Sequence, residues 1–192
     1  MHCPRVATGG SINPIMTEAL TERLSFHEYF MRLALREADR AAAAGEVPTG
    51  CVIVAQPENA LLPPVAAHVL GRAHNQTELL KDPSAHAEML AITQAAASLR
   101  DFRLTRTILY VTKEPCAMCA GAIVLARIPV VVYGASDPQR GGQSLFGILN
   151  HPSLIHRAEI ITDILAETCR ERLQTFFQHR RAAASDAAPR GE

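Results

Sequence analysis

Two short segments constrain this chain more than any other part of it. The first, Asp82-Pro83-Ser84-Ala85-His86-Ala87-Glu88, places a glutamate two residues after a histidine. The second, Glu114-Pro115-Cys116-Ala117-Met118-Cys119, follows about thirty residues later and sets two cysteines three apart. At the start of a helix, side chains three apart face the same way, and thiolates are favoured there. One imidazole and two thiolates form a borderline-soft, tetrahedral donor set that suits Zn²⁺, one ion per chain. Three protein ligands leave a fourth position for water, whose pKa zinc lowers to about 7. Glu88 is badly placed to share the metal and well placed to take the water's proton and hand it on. We therefore expect His86, Cys116 and Cys119 as ligands and Glu88 as the catalytic residue. The competing arrangement is a closed structural zinc site. That needs four ligands, usually from a second C-x-x-C or H-x-x-x-H pair. No second pair exists here, and Cys51 or His74 would have to close the site.

Composition sets the frame around these segments. A chain of 192 residues, 48% of them hydrophobic, fits one domain with tails. Nineteen basic side chains balance 19 acidic ones, so the chain as a whole does not attract nucleic acid. Any RNA binding must come from a local patch. Of the five cysteines, Cys3, Cys51 and Cys169 stand as scattered singles rather than a disulfide framework, which points to a reducing cytoplasm. No run is long and apolar enough to span a membrane. The N-terminus shows no basic region followed by an apolar stretch, so no secretory signal is read, and translation could start at Met1 or Met16.

Taken in order, residues 1–24 read as a flexible arm broken by Pro4, Gly9, Gly10 and Pro14. Ser25-Phe26-His27-Glu28 is a capping-box pattern, predicting a helix to about Ala44 that Gly45 ends. A turn over Gly45–Gly50 leads into a strand at 51–55. Residues 56–65, with three prolines, predict an extended loop before a strand at 66–74. Asp82 or Ser84 should cap a helix running to about Leu99. A strand at 106–112, a helix at 117–127, a strand at 129–134, a short strand within 154–161 and a helix at 163–181 follow. The folded unit is thus residues 25–181, with 182–192 a disordered tail. Alternation of strands and helices predicts an α/β fold, a three-layer α/β/α sandwich around a mixed sheet of about five strands.

The H-x-E and P-C-x-x-C pair is the signature of the zinc-dependent nucleoside and nucleobase deaminases. The wider pattern resembles the bacterial tRNA adenosine deaminases, over about residues 26–181. That resemblance implies a cytidine-deaminase-like fold and hydrolytic conversion of adenosine to inosine at the wobble position of a tRNA anticodon. It implies a tRNA anticodon stem-loop as partner and a two-fold homodimer in which the apolar cysteine helix (Ala120, Gly121, Ile123, Val124) could pack. It also implies substrate contacts. The Gly-Glu-Val-Pro loop, with Val47 and Pro48, would line the base pocket, and the Ala87 amide would contact the base. Asn75 would meet the ribose, and Asp137 would lie against the RNA. The aromatic-then-basic end Phe176-Phe177-Gln178-His179-Arg180-Arg181 would stack bases and meet phosphates through Phe177, Arg180 and Arg181. The sequence departs from the branch's common pattern at Lys113, Thr49, Ser136 and the Gly141–Ser144 loop, all near the pocket rim. Two other functions stay open at this point: deamination of a free base or nucleoside such as guanine or cytosine, and a non-catalytic zinc-stabilised RNA-binding protein.

Overall fold

The first helix owes its position to an alternation of bulk. α1 (Pro14–Ala43) turns Phe30, Met31, Ala34, Leu35, Ala38 and Ala41 to one side, and all are buried. Burying each large apolar side chain contributes about 1.5–3 kcal/mol. Gly45, at φ +76°, ends the helix in the left-handed conformation that glycine adopts without strain. The chain then enters β1 (Gly50–Ala55). At Gly50 any side chain would run into the Ala34 carbonyl and reach the Ala38 nitrogen at 2.5 Å, so α1 lies directly on the strand.

These elements belong to a computed structural model that describes residues 14–56 and 68–187, with side chains over 24–56 and 68–185. β2 (Val69–His74), a short α2 (Thr77–Leu80), α3 (Ala87–Leu99), β3 (Thr107–Lys113), α4 (Ala117–Leu125), β4 (Val130–Ala135), β5 (Glu159–Ile161) and α5 (Ala166–Ala187) complete the order. The sheet runs β2-β1-β3-β4-β5. β1 pairs antiparallel with β2 and β3, while β3–β4 and β4–β5 are parallel. Alternation along each strand divides the core in two. Cys51, Ile53, Leu109, Val111 and Val131 face α3 and α4, whereas Val52, Val54, Ile108, Tyr110 and Val132 face α1 and α5. The expected three-layer α/β/α sandwich around a five-stranded mixed sheet is the observed fold.

Several boundaries differ from expectation. α1 begins at Pro14, not near Ser25, so residues 14–24 are helix rather than arm. Proline is favoured in a first helical turn, and no glycine or proline interrupts 15–44, so the Ser25–Glu28 pattern sits inside a helix. Neither Asp82 nor Ser84 caps α3. Asp82 Oδ1 accepts the Ser84 N–H at 2.8 Å and its hydroxyl at 2.7 Å, closing a local turn, and His86 takes the cap position with extended dihedrals. The last strand spans three residues, because 151–157 is held outside the sheet, folded on itself by Arg157 to the Pro152 carbonyl and tied back to the Ile128 carbonyl by His156, both at 2.8 Å. α5 starts after the left-handed Leu165 and continues to Ala187, since the alanines at 182–184 propagate it past Arg181. Ala120, Ile123 and Val124, expected at an interface, are buried in the chain's own core. Met118 and Leu125 are the exposed apolar residues of α4. Residues 1–13, most of the proline-rich 56–65 loop, the start of the strand expected at 66, and 188–192 lie outside the described residues.

Candidate active site

The site forms where helix starts meet strand ends. α3 and α4 both begin at the same edge of the sheet, after β2 and β3. His86 is the residue before α3 and Cys116 the residue before α4, with backbone dihedrals of −75°, 152° and −68°, 174°. Cys119, one turn further, faces back to Cys116 and is fully buried. His86 Nδ1 lies 3.6 Å from both sulfurs, and the three donor atoms fall within 4.8 Å of one another. Tetrahedral zinc with Zn–N near 2.0 Å and Zn–S near 2.3 Å requires N···S separations of about 3.5 Å, so the donors fit that ion. Cys51 and His74 do not close the set. Cys51 is buried beneath it, its thiol pushed up by burial and by Glu88, while His74 turns to Glu37 at 3.6 Å.

Glu88 is 3% exposed, and its Oε2 has no hydrogen-bond partner among the described residues. Burial pushes its carboxyl up from the ordinary value. The charge on Cys116 adds to this, and His86 and its own backbone N–H oppose it. A hydrogen bond from Cys119 holds the Cys116 thiol down, with His86 acting in the same direction. The Cys116 partnership in turn raises the imidazole. The structure thus brings two cysteine sulfurs, an imidazole and a carboxyl with one unsatisfied oxygen into one place, as a hydrolytic metal centre requires.

The neighbouring residues are tied in by backbone bonds. The Asn75 N–H donates to the Thr49 carbonyl at 3.1 Å, and the Gln76 N–H donates to the Ala85 carbonyl at 3.0 Å. The end of β2 is therefore stitched to both the 45–50 turn and the loop before His86. Pro48 and Ala87 are buried and Val47 is half-buried. Val47 shares a cavity of about 90 Å³ with Phe177, Arg180, Glu46 and Thr77, so the end of α5 lies against this turn. Phe177 is 44% exposed, and Arg180 sits 5.8 Å from the Phe176 ring. Arg181 is exposed on the same helix.

Asp137 does not stand free. Its carboxylate pairs with Lys113 at 2.6 Å and accepts the Gln139 and Arg140 N–H groups at 3.3 and 3.1 Å. Burial works to raise this carboxyl, but Lys113 and the backbone donors outweigh it and hold it below its ordinary value.

Three buried carboxylates or partners escaped the sequence reading. Glu114, 2% exposed, accepts the N–H groups of Asp137, Gln143 and Ser144 and the Ser144 hydroxyl, at 2.7, 3.2, 2.6 and 2.7 Å. It clamps the 137–144 loop onto the cysteine turn, and a side chain at Gly141 would strike its carboxylate. Glu46 and Thr77 join the α1–β1 turn to α2. The available signal was a lone acidic residue near a proline in each of two short turns, Gly-Glu-Val-Pro and Lys-Glu-Pro-Cys.

Comparison with known proteins agrees with the donor set. Residues 24–135 match the cytidine and deoxycytidylate deaminase zinc-binding region. Over 154 residues the chain is 45% identical to the tRNA-specific adenosine deaminase of Streptococcus pyogenes serotype M18, spanning 80% of this chain and 91% of that protein. It is 41% identical over 165 residues to the Haemophilus influenzae protein of the same name, spanning 85% and 90%. A structure from studies of A-to-I editing by tRNA:A34 deaminases matches with a TM-score of 0.68 at 38% identity, covering 76% of this chain and 99% of that one. A guanine deaminase from Nitrosomonas europaea, at 18% identity and a TM-score of 0.63, covers 91% and 98% and shares the fold. With its three metal donors, its buried glutamate and these relatives, the chain belongs to the zinc-binding cytidine and deoxycytidylate deaminase class and, within it, to the tRNA-specific adenosine deaminase family.

Proposed function

We infer that this protein deaminates adenosine to inosine at the wobble position of a tRNA anticodon. The observation that carries the chemistry is the buried Glu88 carboxyl, with its Oε2 unpartnered among the described residues, beside the His86, Cys116 and Cys119 donors. Those three side chains would hold the zinc, which when bound supplies a water acidified to about pKa 7. Glu88 would accept a proton from the attacking water and pass it to adenine N1, and would then carry the proton of the new C6 hydroxyl to the exocyclic nitrogen as the C6–N6 bond breaks. Water and adenosine become inosine and ammonia, and Glu88 ends as it began. Its raised pKa suits a group that must both accept and return a proton.

The substrate must be unpaired, because an adenine inside a duplex cannot reach a buried carboxyl. Support for RNA comes from the end of α5, where Phe177 and Arg180 border the Val47 turn and Arg181 extends the positive charge. We assign Val47, Pro48, the Ala87 amide and Asn75 to the pocket, and Phe177, Arg180 and Arg181 to the flanking RNA. Asp137, held by Lys113, meets the RNA as half of an ion pair. The exposed Met118 and Leu125 on α4 suit a two-fold dimer. No helix among the described residues is long and apolar enough to cross a membrane, and we propose a cytoplasmic site of action, where tRNA is found.

The test is a deamination panel with zinc-loaded protein. One arm holds anticodon stem-loops with adenosine at the wobble position, and the other holds free adenine, guanine, cytosine and their nucleosides. Inosine formed in the stem-loops alone is the expected result. Ammonia released only from a free base would overturn the tRNA assignment.

A further inference from the structure

Beside the metal donors, a chain of three polar side chains joins the α1–β1 turn to the end of β2. Glu46 is 1% exposed. Its Oε1 accepts the Leu79 backbone N–H at 2.8 Å, and its Oε2 accepts the Thr77 hydroxyl at 3.1 Å. Thr77 Oγ1 in turn accepts from Asn75 Nδ2 at 3.3 Å.

Chemistry dictates the direction of this chain. A carboxylate only accepts, and a hydroxyl has one hydrogen to give. Once the Thr77 hydrogen goes to Glu46, the Thr77 oxygen can only accept from Asn75. The amide nitrogen of Asn75 must then face Thr77, and its carbonyl oxygen must face away. Asn75 is 6% exposed, and among the described residues none donates a hydrogen bond to its Oδ1. Glu46, the buried end of this chain, can only accept, so turning the Asn75 amide over would set its Oδ1 against the Thr77 oxygen with no hydrogen between them.

We propose that Glu46 and Thr77 are positioning residues that set the polarity of the Asn75 amide. Asn75 then meets the bound nucleotide with a fixed carbonyl acceptor and its one remaining N–H. The group placed at Oδ1 is a hydrogen-bond donor, such as a ribose hydroxyl. A nucleotide lacking that donor covers the carbonyl without pairing it and is rejected. The proposal rests on the assignment of Asn75 to the nucleotide pocket.

A double-mutant cycle tests it. Thr77→Val keeps the side-chain shape and removes the hydroxyl. In the zinc-loaded protein it should lower kcat/KM on the adenosine stem-loop roughly tenfold. In an Asn75→Ala background it should change nothing further. An equal loss in both backgrounds, or no loss in either, overturns the proposal.

A second measurement needs no substrate. The side-chain amide of Asn75 is identified in nitrogen–proton NMR spectra by its disappearance in Asn75→Ala. Its two proton resonances should lie well apart in the zinc-loaded parent and draw together in Thr77→Val. Unchanged separation overturns the relay. A parent protein that makes no inosine from any stem-loop overturns the tRNA assignment instead, and the amide spectrum still decides the relay.

Discussion

Glu88 differs from the acidic residues of the surface by its surroundings. It is nearly sealed, carries one unsatisfied oxygen, and stands against three metal donors. Glu88→Gln keeps the shape and removes the ionisable carboxyl, so on the proposed mechanism inosine formation should fall by about 10²–10⁴. Zinc content, measured by elemental analysis, should stay at one per chain, because the ligands are untouched. Asp137 illustrates a different use of charge. Its folded pKa is depressed, chiefly against burial and by Lys113. A depressed carboxyl contributes stability that is present above its unfolded pKa of about 3.9 and is lost as pH falls through the folded value. Relative to the parent, Asp137→Asn should therefore be less stable at pH 7, and the gap should close as the pH drops below about 4. Denaturant midpoints measured across that range decide the point, and a gap independent of pH would contradict it.

At the scale of elements, the loops at the sheet edge are held by buried carboxylates rather than by apolar packing. Glu114 receives hydrogen bonds from three backbone N–H groups and one hydroxyl across a separation of 23 to 30 residues. Glu37 does similar work on the opposite face, bonding Arg72 at 2.6 Å and Arg40 at 3.0 Å to join α1 to β2. Removing the Glu114 carboxylate strands several buried donors together. Glu114→Ala should cost about 3–5 kcal/mol in unfolding free energy, read by denaturant titration, and should lower zinc occupancy by loosening the cysteine turn. Stability within about 1 kcal/mol of the parent would show that the loop holds itself. These clamps were not legible beforehand. Asp82 and Ser84 had the composition of a helix cap, yet a local turn satisfied them first, and α3 began two residues later than Ser84 could have capped it. Local propensity offers a residue several partners, and only the surrounding fold selects among them.

For the molecule as a whole, charge is balanced, so affinity for RNA depends on where the positive side chains gather. The place we propose is the end of α5, with Arg180 against Phe176 and Arg181 following. Replacing both arginines by alanine should weaken stem-loop binding and reduce the slope of log affinity against log salt by about 1.4, the value for two phosphate contacts on a single strand. An unchanged slope in a salt titration would move the RNA path elsewhere. The sequence by itself pointed to the metal donors, the five strands and the layering, and it marked Glu88 as the residue to test beside them. Spacing inside single elements fixes which side chains face together, as with Cys116 and Cys119. Tertiary structure alone decided that Glu46 reaches Thr77 across 31 residues, that Glu114 holds the 137–144 loop, and that Asp137 is taken by Lys113. A buried carboxylate binds whichever donors the folded chain delivers to it, and no local periodicity records which distant backbone those donors will come from.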